Sequence, residues 1–108
     1  MQKKISGWGR NILVNTNVFI PKNLKQLKKH INKNCIARGL GRSYGDSSIN
    51  KSKTIVTTNL NKIIFFDKKN GILEAESGTS IEQLLSLIVK EGWFLPVTPG
   101  SKKITLGG

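Results

Sequence analysis

Apolar residues along this chain come in short bursts, and the spacing inside each burst separates strand from helix. Val18-Phe19-Ile20 is β-branched and aromatic and is closed by Pro21, so it predicts a short strand. Asn23 is a fair N-cap, and Leu24, Leu27 and Ile31 follow at helical spacing, predicting a helix from about 23 to 33. Cys35-Ile36-Ala37 returns as a strand, which makes the first unit β-α-β. Residues 54–58 are all β-branched and read as another strand. Ile63-Ile64-Phe65-Phe66 is a continuous apolar run of strand length, followed by Asp67-Lys68-Lys69-Asn70-Gly71. Asn-Gly is a strong hairpin signal, and beyond it Leu73 and Ala75 alternate with Glu74 and Glu76, as on a strand with one wet face.

A second helix is predicted to begin at Thr79 or Ser80, because Thr79 with Glu82 and Ser80 with Gln83 can each form a capping box. Ile81, Leu84, Leu85 and Ile88 make its buried stripe, and Gly92 ends it. Trp93-Phe94-Leu95 predicts a further strand, after which Pro96, Pro99 and Gly100 break the chain into a loop. Residues 103–106 predict the start of one more strand before Gly107-Gly108. The expected fold class is α+β: short strands in a mixed sheet with two helices, no internal repeat and no low-complexity linker.

Length and composition narrow this picture. A chain of 108 residues is at most one domain, and with 37% hydrophobic residues it reads as globular. The apolar runs are too short to span a membrane, and no signal-peptide core follows Met1-Gln2-Lys3-Lys4, so a cytoplasmic location is expected. Cys35 is the one cysteine and His30 the one histidine, which excludes an internal disulfide and leaves no metal-site spacing. The net charge of +12 raises the possibility of a nucleic-acid partner. Its densest group, Lys22, Lys25, Lys28, Lys29 and Lys33, lies on one predicted helix with apolar positions opposite, as a solvated helix face does. No aromatic residues interleave to stack bases, so no nucleic-acid partner is expected, and a basic RNA-binding fragment stands only as a distant alternative.

The chemistry concentrates in Ala37-Arg38-Gly39-Leu40-Gly41-Arg42-Ser43-Tyr44-Gly45-Asp46, which leaves the strand at residues 35–37 directly. Its glycines let backbone N–H groups turn toward one concavity, and its arginines add fixed positive charge suited to a phosphate or pyrophosphate. A tight structural turn is the alternative; the combined glycines and charge favour an anion. The nucleotide P-loop pattern is absent. Gly39, Gly41 and Gly45 miss the dinucleotide fingerprint by one residue, and the loop-like Ser47-Ser48-Ile49-Asn50-Lys51-Ser52 stands where that fingerprint needs a helix. A classical nicotinamide domain is therefore excluded.

The ten-residue loop resembles the pyrophosphate-binding loop of FAD-linked oxidases of the vanillyl-alcohol-oxidase superfamily, whose cofactor sits in a PCMH-type FAD-binding domain. Ser77-Gly78-Thr79, Pro96-Val97-Thr98-Pro99-Gly100 and Ile104-Thr105-Leu106-Gly107-Gly108 resemble further stretches of that domain, in the same order. Ser6-Gly7-Trp8-Gly9-Arg10 is similar to the decaprenylphosphoryl-ribose 2-oxidase-like branch. The resemblance implies the first subdomain of that fold, with FAD contacts at Ala37 to Asp46, at Ser47, at Gly100 and at Thr105, Leu106, Gly107 and Gly108. It implies amides of residues 39–43 and the Ser43 hydroxyl on the diphosphate, Arg42 offsetting charge, and Tyr44 packed beside the cofactor. Asp46 is expected to accept backbone N–H bonds that hold the loop in shape.

Many relatives carry a flavin-linked histidine at the position of Arg42; arginine cannot form that bond, so the resemblance implies non-covalent FAD. Ser101 replaces the family's usual threonine and keeps the hydroxyl. His30 is expected to have no role. The family's continuing Asp-x-His-Gly-Lys-type stretch and its substrate domain are not in these 108 residues, nor is any acid, base or nucleophile constellation. The expectation is the N-terminal part of a flavin oxidoreductase acting on an alcohol carbon of a sugar or polyol, inactive as this piece alone. A sugar-lactone or alditol oxidase of the same superfamily is the alternative within the family.

Overall fold

The structure is a computed structural model that describes residues 1–108. Six strands and two helices follow one another as β1 (Gln2–Ser6), β2 (Leu13–Phe19), α1 (Leu24–His30), β3 (Cys35–Arg38), β4 (Lys53–Val56), β5 (Ile63–Asp67), β6 (Ile72–Ala75) and α2 (Ile81–Ile88). The arrangement is α+β, as expected. A four-stranded mixed sheet runs in the order β1-β2-β4-β3, and β5 pairs with β6 as a separate antiparallel hairpin. Within the sheet β1 is antiparallel to β2, while β4 is parallel to both β2 and β3.

β2 is longer than residues 18–20 and begins at Leu13. Val14, Thr16 and Val18 are buried while Leu13, Asn15 and Asn17 between them are exposed, the period of two that a half-covered sheet imposes. Two interior asparagines, poor strand formers, mask that period in the sequence. β1 has no apolar alternation at all; it is a lysine-bearing edge strand held by its backbone ladder to β2. The buried hydroxyls of Thr16 and Thr54 satisfy each other at 3.1 Å across β2 and β4.

α1 ends at His30, one turn before the expected 33. Its cap is as expected, with Asn23 Oδ1 accepting from the Gln26 amide at 2.9 Å. None of its residues is buried, and Leu24 and Ile31 are exposed, so its lysines lie on a solvated helix. α2 is capped by Ser80, not Thr79: Ser80 Oγ accepts from the Gln83 amide at 3.0 Å. The Gln83 side chain donates to the Asn61 carbonyl, so half of the box is formed. Ile81, Leu84 and Ile88 are buried, while Leu85 is half-buried beside them. Gly92 ends the helical stretch at φ 83°.

Two expected strands are not formed. Residues 93–95 are irregular, because Trp93 folds onto the β5–β6 hairpin with its Nε1–H donating to the Lys68 carbonyl at 2.7 Å. Residues 103–106 make only an isolated antiparallel bridge between Ser80 and Thr105. The hairpin and α2 join the sheet where Gly78 meets the backbone at Thr57 and Leu60, with the Gly78 amide donating to the Leu60 carbonyl. No helix is long and apolar enough to cross a membrane.

Candidate functional site

β3 and β4 are parallel neighbours, and parallel neighbours need a long crossover, ordinarily a helix. Here the crossover is residues 39–52, an irregular loop leaving the carboxyl end of β3. Carboxyl ends of parallel strands are where open α/β sheets bind ligands, because the connections part there and leave a crevice. The crevice in this chain is a cleft of about 490 Å³. Ala37, Gly39, Leu40, Gly41, Arg42, Ser43, Tyr44 and Ser47 form one wall, and Thr105, Gly107 and Gly108 belong to the facing wall. Two distant segments singled out in the sequence thus face one cavity.

Arg38, Gly45, Asp46, Gly100 and Leu106, also expected at the site, do not line the cleft. Ser48, Thr57, Ser77, Pro99 and Ile104 line it without having been expected there. Pro99 and Ile104 carried a signal as neighbours of Gly100 and Thr105, and Ser77 lay in a stretch already noted. Ser48 and Thr57 gave none, because only the strand topology brings them in.

The loop amides are the principal donors. From Gly39 to Tyr44 no backbone N–H donates a hydrogen bond within the protein. Unpaired amides along a concave wall make a ready anion cradle. Gly41, at φ 69°, takes the left-handed backbone that lets the wall curve. Gly39 serves a different purpose: a Cβ there would overlap Thr105 Oγ1, so its bareness lets the two walls meet. Thr105 is buried, with its Oγ1 turned to the Gly39 contact.

The two arginines divide their work. Arg38 lies beneath the loop, with Nη1 donating to Ser48 Oγ at 3.2 Å and its guanidinium against Gly41. Burial pushes its pKa down from the ordinary value, and it remains the charged pin that holds the loop. Arg42 lines the cleft, has no ion pair or hydrogen bond, and lies over the ring of Trp8 at 4.2 Å from the centroid. The Asp46 carboxylate accepts no backbone N–H, contrary to expectation. The loop is held instead by Arg38, by the Ile49 amide on the Asp46 carbonyl, and by Ser47 Oγ on the Tyr44 carbonyl. Tyr44 is 90% exposed at the rim, so its ring has no protein neighbour to satisfy.

The facing wall is tied to the start of α2. The Ile81 and Glu82 amides donate to the Ile104 and Lys102 carbonyls, and the Leu106 and Gly107 amides donate to Thr79 and Ser77. The helix N-terminus therefore spends its donors on this segment and is not itself an anion site. Glu82 adds ion pairs to Lys103 at 2.7 Å and Lys102 at 3.2 Å, whose hydrogen bonds hold its carboxyl below the usual glutamate value.

A family profile described as an FAD binding domain matches residues 17–108. Decaprenylphosphoryl-β-D-ribose oxidase of Mycolicibacterium smegmatis is 31% identical over 114 aligned positions, covering 98% of this chain and 25% of that protein. D-lactate dehydrogenase of Anaerostipes hadrus is 36% identical over 64 positions, covering 59% of this chain and 14% of that protein. The chain thus spans a quarter or less of the length of these curated relatives.

Proposed function

The chain belongs to the FAD-binding domain family, and we propose that its cleft holds the diphosphate of FAD within a flavin-dependent oxidoreductase. The observation that carries this reading is the wall of unspent amides from residue 39 to residue 44, closed at one end by Gly39 against Thr105. Unpaired backbone donors and an arginine without an anionic partner together suit a dianionic group and nothing apolar. Amides of residues 39–43 and the Ser43 hydroxyl hold the diphosphate, and Arg42 offsets its charge. Gly45, Asp46 and Gly100, which lie off the cleft wall, serve the site through the backbone they shape. Tyr44, bare at the rim, packs beside the cofactor.

Bound FAD supplies the hydride acceptor. The task of these residues is to bind and orient it, and they include no acid or base placed to move a proton. Arg42 supports non-covalent attachment, since a guanidinium does not form the flavin bond of a histidine. The oxidised group is proposed to be an alcohol carbon of a sugar or polyol. The relative whose match covers nearly all of this chain is named for a ribose substrate, which supports that class. Because the chain spans only part of such relatives, contact with FAD is proposed for this part and oxidoreductase activity for the whole protein.

Titrating the chain into FAD tests the reading. Quenched flavin fluorescence that saturates is expected, and acid precipitation of the complex is expected to release all flavin into the supernatant. Flavin retained in the pellet would overturn the non-covalent reading, and unchanged fluorescence with the whole protein that carries this chain would overturn the site.

A further inference from the structure

The segment Ser6 to Arg10 lies outside the matched family profile and runs from the last residue of β1 into the turn that leads to β2. That turn is closed by the Arg10 amide on the Gly7 carbonyl at 3.1 Å, with Arg10 at φ 53°. It is pressed against the anion loop: a Cβ on Gly7 would overlap the Gly45 carbonyl and stand 3.3 Å from Asp46 Oδ1. A side chain there would lift the turn away, so the glycine lets the next residue reach Arg42.

Trp8 is that residue. Its ring lies 4.2 Å from Arg42 Cζ, and it is half exposed and off the cleft wall. Arg42 has no other partner in the protein, so without the ring its long side chain would sample many rotamers in water. A flat guanidinium stacked on a ring keeps the donors at its edge free for an anion. Arg38, the other arginine of the loop, is already spent on Ser48 and on packing against Gly41. The cleft therefore has one uncommitted guanidinium, and the β1–β2 turn fixes it.

We propose that Trp8 is a positioning residue, which holds Arg42 at the cleft wall for the diphosphate of the flavin nucleotide. The proposal rests on the FAD reading of the cleft. It makes the amino-terminal hairpin part of the cofactor site although no residue of that hairpin lines the cavity.

The test is a double-mutant cycle on FAD affinity, read by flavin fluorescence with the whole protein that carries this chain. Trp8→Leu is expected to weaken binding about fivefold, which converts to ~1 kcal/mol, the strength of one exposed cation–π contact. Trp8→Phe keeps an aromatic face and is expected to stay within about twofold of wild type. Arg42→Gln is expected to weaken binding at least as much as Trp8→Leu, and the double variant no further than Arg42→Gln alone. In nitrogen-15 spectra of the unliganded chain, the Arg42 Nε–H is expected upfield in wild type and in Trp8→Phe, and shifted downfield in Trp8→Leu. Wild-type affinity in a folded Trp8→Leu, fully additive losses, or an Arg42 resonance indifferent to residue 8 would each overturn the proposal. Those results are distinct from a whole wild-type protein that binds no FAD, which would overturn the cofactor reading and the proposal with it.

Discussion

Gly39 and Thr105 touch with no room for a side chain between them: a Cβ on the glycine would overlap Thr105 Oγ1 and stand 3.1 Å from Thr105 Cβ. This contact is where the loop after β3 meets the segment after α2. Gly39→Ala is expected to force the walls apart and to destabilise the chain by ~1–3 kcal/mol, the cost of overpacking a fitted contact. Gly9→Ala, at a position with nothing within 4 Å of the new Cβ, is the control and should stay within ~0.5 kcal/mol. Urea unfolding of the two variants checks the difference.

The arginines should separate in experiment as they do in space. Ser48→Ala leaves an Arg38 donor unpaired beneath the loop and is expected to cost ~1–3 kcal/mol of stability. Arg42→Gln removes no protein hydrogen bond, so it should cost no more than the ~1 kcal/mol of its exposed contact with Trp8 and act chiefly by weakening FAD binding. Unfolding midpoints beside flavin titrations distinguish the two effects.

Glu82 ties the segment carrying Thr105 to α2, and its pKa is lowered by hydrogen bonds from Lys103 and then Lys102. A carboxyl whose folded pKa is depressed contributes stability above its unfolded value, near 4.5, and loses it as pH falls through the folded value. The wild type is therefore expected to lose stability below that pH more steeply than Glu82→Gln. Asp67 titrates in the same direction because of Asn70, so the difference between the two proteins is the informative quantity. Both ion pairs are exposed, and high salt should shrink the difference.

Thr79 is wholly buried, and its hydroxyl has no partner. Thr79→Val keeps the shape and removes the unpaired group, so it should raise stability by ~1 kcal/mol. An unfolding midpoint below wild type would contradict this.

Much of the site was legible in the sequence because its chemistry is local. The glycine loop leaves β3 as expected, and the second segment, around Thr105, faces it. What sequence order hid was the division of labour, since Gly39 is small because of a residue far along the chain and Arg38 is spent on packing. Strand-forming power misled in both directions. Gln2, Lys3, Asn15 and Asn17 are poor strand formers held by a ladder, whereas Trp93, Phe94 and Leu95 are good ones left out of any ladder. Residue 93 sits beside Gly71, whose missing side chain makes room for the indole, and that tertiary contact outweighs propensity.

The central claim, that the cleft between the two segments receives the FAD diphosphate, is tested most directly by titrating FAD into nitrogen-15-labelled chain and following every amide. The account predicts the largest shifts at residues 39–43, with Thr105 moving in step. Shifts confined to the α1 lysines Lys25, Lys28 and Lys29, or no shift at the loop amides at saturating FAD, would contradict it.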